Sequence, residues 1–568
     1  MKELMKLFVL MASFTIFPGG VNAAEKPNII IILADDMGFS DVGCYGGEIS
    51  TPNLDKLANG GIRFTQFYNA ARCCPTRASL LTGLYPHQTG VGDMTVDQGE
   101  TSYRGDISNN CVTIAEVLKS NGYKTYMSGK WHVTKDVDLW KTWLPEDKKI
   151  YTSKHNWPIQ RGFDEFFGTI HGAGSYYNPS TLTRNNTPIE AGDSFYYTDA
   201  ISDHADEFIR NHGAQDKDKP FFCYIAYTAP HWPLHALPEN IQKYKGKYDK
   251  GWDKVREERM TRMVKMGIID PKWKLSNRDP EVPAWLDADN KEWWAACMEV
   301  YAAMVDRMDQ GIGKVLRALE ETEQLDNTLI LFLADNGGCS EVLTEKWGRS
   351  LHVPFYLKDG TPYKPGNDVT RLPGPEDTYM SYSTEWANAS NTPFRMYKSF
   401  IHEGGISTPL IAHWPAGIKS PDRLTNQVGH LIDLMATCVD VAGAEYPKTF
   451  WGNPIMPAEG QSLRPVFENK TFKHNPIGWE HEGNRGFRDG KWKLVAKIKD
   501  WELYDIDADR TEINNLASVY PDIATEMIAK YEKWASRVGV INWQERKISK
   551  NEPIPKSGKF NDFHLFDP

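Results

Sequence analysis

The chain has 568 residues, an ordinary globular composition and a formal net charge of -10, a balance that leaves no basic footprint for nucleic acid. Nowhere beyond residue 17 does an apolar run approach the length that crosses a bilayer, and eight Cys at scattered spacings form no disulfide framework. The 19 Trp and 25 Tyr suit a surface that stacks on rings, sugars included.

Lys2 and Lys6 precede an apolar run over 7–17 that ends near Val21-Asn22-Ala23-Ala24. This is a signal-peptide pattern, which predicts an exported protein, periplasmic or secreted, with residues 1–23 removed. What remains is more than one small core requires, so a large domain at 24–445 and a smaller companion at 446–568 are expected. The near-continuous apolar run at 28–33 reads as a strand buried on both faces of a mostly parallel sheet. Asp35 and Asp36 follow it at once. Thr51-Pro52 reads as a helix cap and first position, with Gly60-Gly61 as the stop. A helix at 113–120 leads to a strand at 123–128, then to Gly129-Lys130-Trp131-His132. A strand at 221–226 runs into Pro230-His231. A long amphipathic helix at 293–319 precedes a fourth strand at 328–333, which Asp335-Asn336-Gly337-Gly338 close. Strands alternating with helices predict an α/β fold: a large, mixed but mostly parallel sheet sandwiched by helices, with a smaller α+β subdomain at the C-terminus.

Four strand-like runs thus end in short charged loops marked by Gly or Pro. Ligands of open α/β sheets bind outside the carboxyl ends of the strands, so these loops suggest one shared site. Asp35, Asp36, Asp335 and Asn336 make a set of hard oxygen donors without His or Cys in the same two loops. Such a set suits calcium or magnesium, with the ligand number favouring calcium, and argues against zinc.

The segment Cys73-Cys74-Pro75-Thr76-Arg77-Ala78-Ser79-Leu80-Leu81-Thr82-Gly83 resembles the signature of the formylglycine-dependent, arylsulfatase-like sulfatases of the alkaline-phosphatase superfamily. In that signature a Cys two residues before Pro and four before Arg is oxidised to an aldehyde. Cys73 matches the modified position and Cys74 the variable one; Thr76 stands where many members carry Ser and keeps the hydroxyl. The chemistry favours the conversion. A thiol attacking sulfur would leave a stable adduct, whereas a hydrated aldehyde offers one hydroxyl to attack and a second to expel sulfate. Pro75 near a first turn also places residue 73 at a helix N-terminus, which favours an anionic group.

The resemblance, which runs from about residue 27 to about residue 516, implies roles position by position. Asp35, Asp36, Asp335 and Asn336 would hold one calcium ion, completed by the modified Cys73. Asp335 would also accept a proton from the attacking hydroxyl. Arg77 and Lys130 would hold the hydrate and the sulfate oxygens, and His132 would take the second hydroxyl proton. His231 and Lys398, the latter in Tyr397-Lys398-Ser399-Phe400, would bind sulfate and protonate the leaving oxygen. A maturation enzyme that generates formylglycine is an implied partner. His171 and Tyr176, with Trp232 and His235, are expected to wall the substrate pocket. Near the C-terminus, 460–464, 488–494 and 502–506 are similar to the small antiparallel subdomain that closes these enzymes. Sulfated saccharides are the expected substrate class. A phosphoester or phosphonate hydrolase of the same superfamily, built on two metals with extra His ligands, and a non-catalytic binder of sulfated glycans are the alternatives.

Overall fold

The computed structural model describes residues 26–138, 149–345 and 356–549, together with Val353; the signal-peptide expectation at 1–23 lies outside the described residues. The strand Asn28–Ala34 occupies the middle of an eleven-stranded sheet. It pairs in parallel with Phe221–Ala226 on one side and Thr328–Ala334 on the other, and Lys124–Lys130 pairs in parallel with Phe221–Ala226. Every residue from Ile29 to Ala34 is fully buried. Ile30 and Ile32 belong to one core, shared with Tyr197–Gln215 and the 31-residue helix Lys291–Glu321. Ile29, Ile31 and Leu33 belong to the other, with Cys73–Thr82, Ile114–Ser120 and Asp433–Val441. The period of two sends alternate side chains to opposite faces, and helices cover both, as the apolar run at 28–33 requires.

The sheet extends further than the sequence pattern indicated. Ser407–His413 lies antiparallel between Thr328–Ala334 and Gly61–Tyr68. Pro409 sits inside it, a residue that argues against a central strand; the register shifts between Thr408 and Leu410, which takes the proline out of the ladder. The strand expected at 123–128 begins one residue later and runs two residues further, to Lys130. Thr113 caps its helix as a reciprocal pair with Glu116. Thr51 and Pro52 stand at the N-cap and first position of Pro52–Asn59 as expected, but the Thr51 hydroxyl makes no cap bond: it accepts from Gly43 N at 2.9 Å and donates to Asp55 at 3.2 Å.

Ile477–His481, Asn484–Asp489, Trp492–Lys497 and Asp500–Asp505 form a consecutive antiparallel sheet, packed against the helix Pro521–Val538. Two of the three C-terminal segments expected there are strands. The third, 460–464, instead leads into the short helix Arg464–Phe467. A buried ionic cluster ties this sheet to the large one: Glu403 receives Lys493 Nζ and Arg510 Nε, each at 2.8 Å, while Tyr68 donates to it at 3.1 Å. All eight Cys are free and buried. Among the described residues no helix is long and apolar enough to cross a membrane.

Candidate active site

Because the four central strands run parallel, their carboxyl ends reach one edge together: Leu33 stands beside Ala226, Ala34 beside Ala334, and Gly129 beside Ala226. The residues that follow therefore converge. Asp36 and His132 adopt the left-handed region, at φ 62° and 54°, which turns each loop sharply across the sheet edge. Asp is among the residues that tolerate it. The Asp36 N–H donates to Asp335 Oδ1 at 3.1 Å and locks the first strand's loop to the fourth.

Cys73 opens the helix Cys73–Thr82, with Pro75 in its first turn and Gly83 closing it at φ 70°, where its N–H donates to Ser79 O at 2.8 Å. Thr76 Oγ1 donates to Asp335 O at 2.6 Å and accepts from Ala70 N at 3.0 Å. The hydroxyl shared by Ser and Thr here fastens this helix to the Asp335 loop. Arg77, fully buried, donates from Nε and Nη2 to Asp335 Oδ2 at 3.1 and 2.8 Å and from Nη1 to Lys130 O at 3.1 Å. Lys130 Nζ donates to Asp35 Oδ2 at 2.6 Å. The Cys74 thiol's hydrogen bond, with the charge of Lys130 and a hydrogen bond from His132, holds Cys73 well below the usual thiol range although burial opposes it.

His231 donates from Nδ1 to Trp232 O at 2.6 Å, which fixes its tautomer and turns Nε2 toward Asp36 Oδ2 at 3.3 Å and Lys398 Nζ at 3.4 Å. Burial, together with the charges of Lys398 and Lys130, lowers His231 well below the ordinary histidine value. Burial works against the ammonium of Lys398, but Asp36, 2.8 Å away, and Glu341 hold it well above the ordinary lysine value. Burial takes His132 down to about 3 and His171 to about 4, so both rings are neutral at ordinary pH.

The acidic set fits a hard cation. Asp35, Asp36, Asp335 and Asn336 are at most 1% exposed, and Asp35 Oδ1 and Asn336 Oδ1 have no hydrogen-bond partner. Burial and the neighbouring charges of Asp335 and Asp36 push Asp35 well above the carboxylate range, a strain that a divalent ion among these oxygens relieves. His231 lies 3.3 Å from Asp36, but the remaining donors are all oxygen, which suits calcium better than zinc.

The expected pocket wall is placed differently. Tyr176 is buried, and its hydroxyl donates to Thr228 O at 2.7 Å and His231 O at 2.9 Å; it props the His231 loop instead of facing a substrate. His235 is equally buried and donates to Thr378 O at 2.6 Å. His171 does stand at the site, its ring 5.9 Å from that of His132. The adjoining Gly172 packs so tightly on His132 that a Cβ would lie 2.1 Å from the imidazole. Trp232 donates to Glu341 Oε2 at 2.8 Å.

Sequence reasoning missed three groups here. Glu341 joins Arg72 at 2.9 Å and Lys398 at 3.8 Å, and burial notwithstanding, those two cations hold it down to about 2. Arg72 also donates to Ser399 Oγ at 2.8 Å. Cys74 Sγ lies 3.2 Å from His132 Nε2. Glu341, five residues beyond Asn336, and Arg72, directly before Cys73, sit on the same strand-end loops as the identified residues, and that position was the available signal.

The Sulfatase family model matches residues 27–444, and the model for the C-terminal region of N-sulphoglucosamine sulphohydrolase matches residues 394–536. An uncharacterized sulfatase of Schizosaccharomyces pombe is 32% identical over 95% of this chain and 98% of its own length. An arylsulfatase of Klebsiella aerogenes is 32% identical over 79% and 94% of the two chains, and an N-acetylglucosamine-6-O-sulfatase of Bacteroides thetaiotaomicron 26% over 87% and 83%. Among solved structures, Ps i-CgsB superposes with a TM-score of 0.64 at 25% identity, covering 93% of this chain and 98% of that one.

Proposed function

The chain belongs to the sulfatase family and hydrolyses sulfuric esters, and on that premise we propose that it removes sulfate from saccharides, after export, using formylglycine made from Cys73 and one calcium ion. The observation that carries this reading is the seat of residue 73. It heads a buried helix whose Thr76 and Arg77 are bonded to Asp335, and its side chain lies within 4.8 Å of the His132 ring nitrogen. Asp35, Asp36, Asp335 and Asn336 would hold the ion, which supplies Lewis-acid polarisation of the sulfate and of the nucleophilic oxygen. With the aldehyde in place, its hydrate offers one hydroxyl to sulfur and a second whose deprotonation restores the carbonyl and releases sulfate.

The remaining work falls to this chain's fixed groups. Lys130 and Lys398 present ammonium groups to the anionic sulfate oxygens, where charge builds as the ester bond breaks. His132, neutral and buried, is free to take the second hydroxyl proton. His231 keeps Nδ1–H on Trp232 O, so protonation at Nε2 equips it to donate to the leaving oxygen. A sulfate anion brought in beside it offsets the repulsion from Lys398 and Lys130 and favours that protonation. Asp335, already bonded through both oxygens, is suited to orient the nucleophile and accept its proton. Saccharides are proposed from the sugar-directed relative among the matches and the ring-stacking composition; export rests on the N-terminal pattern. A division near residue 445 is supported by the start of the antiparallel sheet beyond it, at Ile477.

Sulfate release from 4-nitrophenyl sulfate and from defined saccharide sulfates, before and after chelation, tests the reading. Chelation is expected to lower the rate on the order of 100-fold or more, with recovery on adding calcium but not zinc. Full activity after exhaustive metal removal contradicts it.

A further inference from the structure

Beside the site stands a second polar cluster that none of these steps uses. Asp93, His481 and Glu482 each bring a ligand-type atom to within 4.8 Å of the other two, and they are 5%, 0% and 5% exposed. His481 ends the strand Ile477–His481, and Glu482-Gly483 turn the chain into Asn484–Asp489. Asp93 Oδ2 accepts from Gln98 Nε2 at 2.7 Å and Arg546 Nη2 at 2.8 Å. Asp93 Oδ1 and both ring nitrogens of His481 have no hydrogen-bond partner. Buried polar atoms left without partners are costly, so the arrangement is made for something that supplies the missing bonds.

Three links join the cluster to the catalytic residues. Met94, next to Asp93, places Sδ 3.8 Å from Cys74 Sγ. The Arg72 guanidinium feels the charges of Glu341, Glu482 and Cys73 together, and its Nε lacks a partner. Asn484 Nδ2 donates to Ser399 O at 3.2 Å, beside Lys398. The cluster is also no deeper than the site it adjoins: Cys73, His231 and Lys398 are 2%, 4% and 4% exposed.

The charges decide what fits. A second sulfate or a carboxylate would face Asp93 and Glu482, while a metal ion would face Arg546 and Arg72. A neutral hydroxyl both donates and accepts; it can give its proton to Asp93 or Glu482 and accept from a ring N–H of His481. We propose that Asp93, His481 and Glu482 form a recognition subsite for unsulfated hydroxyls of the sugar ring whose sulfate ester is held between residue 73 and Lys130. The inference rests on the saccharide sulfatase reading and adds the residues that tell a sugar from an aryl group.

The test compares wild type with D93N, H481Q and E482Q on 4-nitrophenyl sulfate and on a panel of galactose, glucose and N-acetylglucosamine monosulfates. Melting temperatures and metal content are measured alongside. In each variant that melts as wild type does, kcat/KM for the best sugar relative to the aryl ester is expected to fall about tenfold or more, the loss of one hydrogen bond, mostly through KM. Glu482, in the turn between the two strands, lies outside both strand ladders and gives the variant that leaves their backbone pairing intact. Equal losses on sugar and aryl substrates overturn the subsite, as does loss of a stoichiometric metal ion in H481Q. Wild type that cleaves the aryl ester but no sugar overturns the subsite and leaves the sulfatase reading standing; cleavage of neither overturns the reading beneath it.

Discussion

His231 shows how a single residue's surroundings set its task. Its Nδ1 is committed to Trp232 O, its Nε2 points at Lys398 and Asp36, and Tyr176 fixes its own backbone carbonyl from behind. A proton donor to the leaving oxygen matters most when that oxygen is a poor leaving group. H231A is therefore expected to lose about 100-fold on saccharide sulfates, about 3 kcal/mol of barrier, and distinctly less on activated aryl sulfates. Equal losses on both, read from a leaving-group series, would remove His231 from the acid role. At this scale the sequence was most informative where a residue type is tied to a loop position: Asp35, Asp36, Asp335, Asn336, Lys130 and His132 all stand at strand ends and meet. Tyr176 and His235 were misplaced because a Tyr or His in a Gly-rich loop looks alike whether it faces substrate or bonds a buried carbonyl. Asp93 and Glu482 carried no signal, being short charged residues near glycine.

Secondary elements were legible in proportion to how clean their period is. The runs at 28–33, 221–226 and 328–333 became central strands, since near-continuous apolar residues leave no other environment that satisfies them. Ser407–His413 escaped because Pro409 contradicts a strand and only the register shift rescues it. What holds the small antiparallel sheet on the large one was equally hidden: Glu403 lies 90 or more residues before Lys493, Arg510 and Glu512, yet the four form one fully buried cluster. Burial pushes the Glu403 carboxyl up, but Lys493 and Arg510 outweigh it and hold the group down to about 2, against an ordinary 4.5. A carboxyl depressed in the folded state stabilises fully above its unfolded value and loses that contribution as pH falls toward the folded one. E403Q is expected to lower stability by about 3–5 kcal/mol near neutrality, because it leaves buried cations uncompensated. The deficit should shrink as pH falls from 4.5 toward 2. A denaturant titration across that range checks both; a deficit that stays constant would deny the cluster its ionic character.

Across the whole molecule, the site is a product of topology. Residues 35, 77, 130, 231, 335 and 398 span most of the chain, and parallel pairing alone delivers four of their loops to one edge. The strand order could not be read from the sequence, but the polar strand ends implied that such an edge exists. The small sheet reaches that edge through Asn484, whose Nδ2 donates to Ser399 O beside Lys398. The central claim, a nucleophile made from Cys73, is open to direct measurement: the mass of the Cys73–Arg77 peptide from an active preparation. One oxygen in place of sulfur and two hydrogens at residue 73, with Cys74 still a thiol, is the predicted result; a fully active preparation with an unaltered thiol at 73, or with the change at 74, would contradict it.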